Sequence, residues 1–568
     1  MKNSKIKISC VKLANIILSL MVLVAFIGTA AAEIIPPARK VTWQGNVGVE
    51  GDIPSRTTIY TTLNPTGDIT DRVSAIQTAL NSCPPGQVVY LNAGTYYIGS
   101  TIVMPSNVTL RGAGMGSTII KGAETFSGSC LVAFGTSSYI ESGKTVSAGA
   151  TKGSTSLTVD SHGYDVGDIL ILDMTVDEDG DPWISISEIE GCSYCGRESG
   201  ARPCGQIVKV SAVDANTITV DIPLYYNYTE APEVARLYTS YFKHFSGLEG
   251  VTIDNNLSKS RVNENYGIID MIFSSNCWLL DVEISEWERI GLRVGRGYRN
   301  TIRGCYFHGP TIYTSNRGYG LWMQTWTSAC LVENNVIADV SVGIMIAGLT
   351  SGNAIAYNYL TDHQSTTFPT AARGGLCIHA AHPIMNLFEG NYLDGPCLAA
   401  DLYHGTGSHN TFFRNRQITD TTKSFAIVGC FLWKGHTYYN VVGNVFGTDG
   451  FETIYENQNY DAGKMIYCFD YAGGGVADGE TENTLILHGN YDYVNDNVVW
   501  DPSITDKDLP SSLYRSNKPG WFGSLQWPAI GPDLNPMTGT IPAKLRYEGQ
   551  NVSESPIPQP PLGLRIVQ

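Results

Sequence analysis

The sequence predicts an all-β fold: a parallel β-helix solenoid with an N-terminal capping helix and a small inserted antiparallel β domain. Three observations carry that expectation. From about Gly247 to Tyr493 a short strand with Asn near its middle or end recurs, with equivalent positions at Cys305, Asn335, Asn358, Asn391, Asn415 and Asn444. Their separations of 30, 23, 33, 24 and 29 residues suit one coil of a β-helix with loops of varying length. The composition, with 60 Gly and 31 Tyr against 17 Phe, is that of a turn-rich β chain. One amphipathic segment near the start then runs into short strands, which is the plug that the open end of a strand stack requires.

Taken in chain order, residues 1–32 read as a secretory signal. A Lys-bearing start precedes an apolar run from Ala14 to Ile27 and the small-residue site Ala30-Ala31-Ala32 before Glu33. The apolar run falls short of the roughly 20 residues of a membrane helix, so the expectation is an exported protein, extracellular or periplasmic, with no membrane span after cleavage. Without the four Lys of that leader, 33 basic residues face 53 acidic ones, a net charge of about −20. Such a balance excludes nucleic acid as a partner, because phosphate binding needs clustered cations.

Residues 33–144 hold the cap and the first coils. Val73, Ile76, Gln77 and Leu80 fall at helical spacing, with Asp68 or Thr70 as N-cap. Gly86–Ile120 then alternates in short strands broken by Gly, Pro and Asn. Residues 145–240 change pattern and read as the antiparallel insertion. Within it Asp177, Asp179 and Asp181 form a candidate Ca2+ loop, although the Gly offset is wrong for an EF-hand and a solvated acidic turn is the simpler reading. Cys192, Cys195 and Cys204 cluster there too, and point to a local disulfide before zinc because a fourth ligand is missing nearby. Residues 241–500 form the main coils. Residues 501–568 form a Pro- and Trp-rich tail that packs along the solenoid, with Trp521 and Trp527 as packing residues.

The helix followed by GQVVYLNAGTYYI and NVTLRGAG resembles the entry of the pectate-lyase-like superfamily, close to proteins related to glycoside hydrolase family 28. The resemblance covers about 60 residues well and recurs more weakly in the later repeats. It implies a right-handed parallel β-helix and a polysaccharide as substrate. Catalytic residues do not carry over: the Asn-Thr-Asp, Asp-Asp, Gly-His-Gly and Arg-Ile-Lys set of polygalacturonases is missing, and so is the Arg-x-Pro-x-x-Arg of many pectate lyases.

A site follows from strand alternation. Stacking GLRVG (Gly291), GLWMQ (Gly320), GIMIA (Gly343), GLCIH (Gly375), AADLY (Ala399) and GCFLW (Gly429) places apolar residues such as Leu292, Val294, Ala400 and Leu402 inward. Arg293, Trp322, Gln324, Met345, Ala347, Cys377, His379, Asp401, Tyr403, Phe431 and Trp433 then face outward. At about 4.8 Å per strand the strip is roughly 24 Å long. Flat rings there can stack on sugars while polar groups orient them. The alternative is that loops or the tail cover the strip and make it a second small core.

His382, His404, Lys434 and His436 follow on the adjoining turn edge. Asp401, His404, His379 and Lys434 are the candidates for acid–base work, with Arg293 as a cation. Trp322, Gln324, Tyr403, Phe431, Trp433, Arg296 and His382 are the candidates for substrate binding. Arg289, Arg293, Arg296, Arg299 and Arg303 place five guanidinium groups in fifteen residues, able to hold uronate carboxylates or to pair with Glu283, Glu286 and Glu288. A lyase would use the arginines with His379 or His404 as base. A hydrolase would pair Asp401 with Glu389 or Asp362. A noncatalytic glycan-binding or matrix protein is the third reading.

Overall fold

The computed structural model describes residues 33–550 apart from 67, 70, 136–139, 176–194, 239–241, 256–265, 315, 368–373, 474 and 478. The leader, the calcium candidates Asp177, Asp179 and Asp181, Cys192 and the end of the tail lie outside the described residues.

Each coil carries three strands. The first is long, as in Ile290–Gly295, Tyr319–Gln324, Val342–Ala347 and Gly374–His379. The second and third are short, as in Thr301–Arg303 with Tyr306–His308, and Leu331–Glu333 with Val336–Ala338. Every strand pairs in parallel with its counterpart one coil on, which builds three stacked sheets along the solenoid. Leu292, Val294, Leu321, Met323, Ile344, Ile346, Leu376, Ile378, Cys430 and Leu432 all point into one continuous core. Each such side chain contributes about 1.5–3 kcal/mol of burial, and the alternation that the sequence shows is what keeps them on one face.

Turns interrupt the strand ladders, and buried Asn side chains restore the lost hydrogen bonds. Between the second and third sheets Asn335, Asn358, Asn391, Asn415, Asn444 and Asn490 form a ladder in which each Nδ2 donates to the next Oδ1 at 2.9–3.0 Å. Each Oδ1 also accepts a backbone N–H, for example Asn335 N to Asn358 at 3.1 Å. A second ladder, which the sequence reading missed, joins the first sheet to the second through Asn353, Asn386 and Asn410 and ends on Tyr439 Oη. Both are structural, which answers the buried backbone's demand for partners.

The helix spans Val73–Ser82 and buries Ile76, Ala79 and Leu80 against the end of the core. Its first turn takes a hydrogen bond from Val73 N to Asp71 Oδ1 at 2.9 Å, so Asp71 and not Asp68 does that work. Gln77 pairs with both backbone groups of Val103 at 2.9 Å, closing the edge strand Ile102–Val103. The insertion is a six-stranded antiparallel sheet between Lys144 and Leu237. It packs on Phe273, Tyr298, Trp326, Leu349, Ile384 and Met385 along the turns after the first sheet. Cys195 is disulfide-bonded, and Cys204 is buried.

The tail lies over the outer face of the second sheet, where Tyr514, Phe522 and Ile530 cover Leu331, Tyr357, Leu387 and Phe413. Trp521 and Trp527 pack there, and Trp527 Nε1 donates to Tyr357 Oη at 2.9 Å. This placement also corrects the hydrolase pairing. Glu389 is fully buried under the tail, accepting from Leu513 N and Tyr357 Oη. Asp362 follows the third-sheet strand Tyr359–Thr361 and accepts from Tyr547 Oη. Neither lies on the face that carries Asp401. No helix among the described residues is long and apolar enough to cross a membrane.

Candidate functional site

The outward residues of the first sheet form two columns. One runs Asp270, Arg293, Trp322, Met345, Cys377, Ala399 and Phe431. The other, at the strand ends, includes Gly295 with Gln324 and Ala347 with His379. The coil of Asp401 departs from the alignment expected. Its strand is Cys397–Ala400, with Leu398 beside Leu376 and Ala400 beside Ile378. The phase of the alternation holds, but the register slips by two. Leu398 takes the inward place given to Ala400, Ala400 that given to Leu402, and Leu402 is half-buried beyond the strand. The slip follows from the single residue, Pro396, that links this strand to the preceding Tyr392–Gly395.

The slip brings Asp401 level with His379. His379 Nδ1 lies 2.8 Å from Asp401 Oδ1 and 3.0 Å from Oδ2. An ionised carboxylate only accepts, so Nδ1 carries the proton and Nε2 has no hydrogen-bond partner among the described residues. Asp401 also accepts from Tyr403 N at 3.1 Å and from the Cys377 thiol at 3.8 Å. Burial works to lower the His379 pKa, but the Asp401 charge and hydrogen bond outweigh it and leave it raised. Behind the pair, His436 Nε2 donates to the Asp401 carbonyl at 2.7 Å. Burial pulls the His436 pKa down to about 4, so this imidazole is a neutral support. The His404 ring stands edge-on to His379, 5.8 Å between centroids, and its carbonyl oxygen lies 3.5 Å from Cys195 Sγ of the insertion.

Above the pair lies an aromatic cluster. Trp433 sits 5.6 Å from Tyr403, 5.5 Å from Phe431 and 4.8 Å from Tyr471. Phe431 also meets Tyr460 at 5.7 Å, and Tyr460 meets Phe425 at 5.5 Å. Tyr403 is 61% and Phe425 39% exposed. Tyr471, Tyr460 and Phe425 were not among the expected residues. The strand Met465–Tyr471, whose YCFDY alternates like its neighbours, was the signal for the first of them. Lys434 follows Trp433, and its Nζ donates to the Val476 carbonyl at 3.0 Å.

Lower on the strip the expected row breaks up. Met345, Ala347 and Cys377 are buried and pack with Ile290, Tyr319, Val342 and the edge of Trp322 as a small second core. Gln324 remains half-buried at the strand end. Arg293 is bound to Asp270 by Nε at 2.8 Å and Nη2 at 2.6 Å. Arg296 is held between Phe273 and Trp326, 5.2 and 5.0 Å from their centroids, and burial beside Arg293 pulls its pKa down to about 10. Arg299 and Arg303 leave this face altogether and bind the N-terminal segment at Gly45, Gly48 and Asp52. The five arginines are thus not one cluster. His382 is a further correction: it is fully buried, its Nε2 hydrogen-bonded to Ser408 Oγ at 2.8 Å, and burial lowers its pKa to about 3. The turn that carries it folds under the insertion, so it does not reach a substrate.

A stacked β-helix with a polar and aromatic strip on its longest strands is the class these features define. Residues 63–188 match the family model described as rhamnogalacturonase A/epimerase, pectate lyase-like, and residues 244–446 match that of the right-handed beta helix region. The chain therefore carries a pectate-lyase-like domain and a right-handed β-helix domain. Solved structures similar to it include the tailspike protein gp49 of Pseudomonas phage LKA1 (14% identity, 66% of this chain and 57% of that one, TM-score 0.47). Others are the mannuronan C-5 epimerase AlgE4 A-module of Azotobacter vinelandii (12%, 76% and 99%, 0.33) and the polygalacturonase of Erwinia carotovora (12%, 69% and 93%, 0.33). The chain spans less than two thirds of the tailspike's length. No curated protein matches the sequence.

Proposed function

We propose that the protein acts on a polysaccharide in an extracellular setting, cleaving it by β-elimination at the His379–Asp401 pair. The observation that carries this reading is the Nδ1–carboxylate contact at 2.8 and 3.0 Å, which leaves His379 Nε2 without a partner among the described residues beside an exposed aromatic platform. Asp401 fixes the tautomer, as a buried carboxylate does for a catalytic imidazole. Nε2 takes the proton α to a uronate carboxylate. The C–H electrons form the new C4=C5 double bond, and the C4–O bond breaks with its pair on the leaving sugar oxygen, which gains a proton. Lys434 and the neighbouring coils supply polar contacts, and Tyr403 and Trp433 stack on rings. Hydrolysis by paired carboxylates has less support, since Glu389 and Asp362 lie on other faces.

The exposed Tyr403 and Phe425 equally suit a glycan binder that does not cleave, which is the second reading. Incubating the protein with neutral and uronic polysaccharides separates the outcomes. Reducing ends with ultraviolet-absorbing unsaturated ends support elimination, reducing ends alone mean hydrolysis, and retention without cleavage means binding only. Loss of the unsaturated product in His379→Gln is the expected companion result.

A further inference from the structure

On the second-sheet side of the solenoid, away from the strip, a cavity of about 230 Å³ is lined by Gly45–Asp52, Arg299, Thr301, Arg303, Leu331, Tyr514 and Arg515. Three guanidinium groups from distant parts of the chain meet there. Arg299 comes from the turn before the strand Thr301–Arg303, Arg303 from the end of that strand, and Arg515 from the tail. Arg303 donates to Glu333 at 2.6 Å and to Asp52 at 2.7 Å, and Arg515 donates to both oxygens of Glu333 at 2.7 and 2.6 Å. Arg299 reaches only carbonyls, Gly48 at 3.3 Å and Gly45 at 2.8 Å. Glu50, the other nearby carboxylate, bonds to Lys209 at 3.0 Å.

Three guanidinium groups therefore share two hydrogen-bonded carboxylates, with Glu50, bound to Lys209, a weaker electrostatic neighbour of Arg299. The donor count is unbalanced as well. Among the described residues Nη1 of Arg299, of Arg303 and of Arg515 bonds to no protein atom, and Arg515 Nε is buried without a partner. Arg299 is 6% and Arg303 9% exposed, so these are not side chains waving in solvent. The buried Arg515 Nε is costly while unbonded, and a planar guanidinium fork matches an oxyanion in charge and geometry.

We infer that this cavity is a binding site for one oxyanion group, a sulfate, phosphate or carboxylate, separate from the proposed saccharide strip. Bound there, the anion cross-braces the N-terminal segment, a central coil and the tail. The probes are inorganic sulfate, phosphate and acetate, each measured by equilibrium dialysis on the full chain against sodium chloride of equal ionic strength. The expected result is one bound equivalent of at least one of them, with a melting temperature that rises with its concentration. Arg299→Gln weakens that binding tenfold or more. Val47→Glu, which sets a carboxylate among the guanidiniums and leaves their own hydrogen bonds in place, abolishes it, and the melting temperature of that variant no longer rises with anion. Absence of a stoichiometric equivalent for all three anions, or undiminished binding in Val47→Glu, overturns the inference. Neither result depends on whether the strip cleaves a glycan.

Discussion

Asp401 is held from four directions, by His379, Tyr403 N, the Cys377 thiol and, through its carbonyl, His436. Its carboxylate keeps His379 protonated above the ordinary histidine range, against burial that pulls the other way. If His379 acts as the base, the rate rises with pH through that raised pKa. Asp401→Asn removes the raising charge and leaves burial, so the rising limb moves below its parental position. The same substitution lets the imidazole take the wrong tautomer, and kcat/KM falls by roughly 10²–10⁴-fold, the usual worth of a positioned acid–base group. The pH–rate profile of the unsaturated-product assay measures both. Tyr403→Ala, by contrast, raises KM with little change in kcat, because a stacking ring binds ground and transition states alike.

At the scale of the strand and its turns, hydrogen bonding decides stability as much as apolar burial does. Asn358 accepts from Asn335 N and Nδ2 and donates to Val332 O and Asn391 Oδ1. Asn358→Ala leaves several of these partners buried and unsatisfied, at about 1–3 kcal/mol per lost group. The expected loss is about 2–4 kcal/mol of unfolding free energy in urea, with activity unchanged at low denaturant. The alternation of apolar residues was enough to read the inward face of the long strands, and the Asn spacing was enough to read one ladder. The second ladder was legible too, since Asn353, Asn386 and Asn410 each lie five residues before a member of the first, but that offset was not read. The two-residue slip at Asp401 escaped because Pro396 alone spans that corner, and the sequence has no marker for a connection so short. The slip nonetheless makes the pairing with His379, so the chemistry was legible as residues but not as geometry.

Across the whole molecule, long-range contacts tie the ends to the middle of the stack. Arg414 holds Asp533 and the carbonyls of Leu509, Pro510 and Ile530, and Glu333 and Glu389 anchor Tyr514, Arg515 and Leu513. Burial raises the Glu389 pKa to about 7, although Ser512, Leu513 N, Tyr357 and the more distant Arg414 all act to lower it. A carboxyl whose folded pKa lies above its unfolded value stabilises the fold fully below the unfolded value and loses that contribution as pH rises through about 7. Tail docking is therefore expected to weaken between pH 5 and 8. The fall in melting temperature over that range flattens in Glu389→Gln. His382 and the scattered arginines show what one-dimensional reading misses at this scale: the insertion and the N-terminal segment, distant in sequence, decide which polar side chains stay on the surface.

The three corners of each coil differ in how they are built. Two are pinned by Asn ladders. The third, between the third sheet and the next long strand, varies from the single Pro396 to the twelve residues 362–373. Asp401 and His379 stand at the end of the long strands nearest a pinned corner. The unpinned corner can thus lengthen or shorten over evolution while His379 and Asp401 keep their spacing, so that the rim of the strip varies and its centre is inherited.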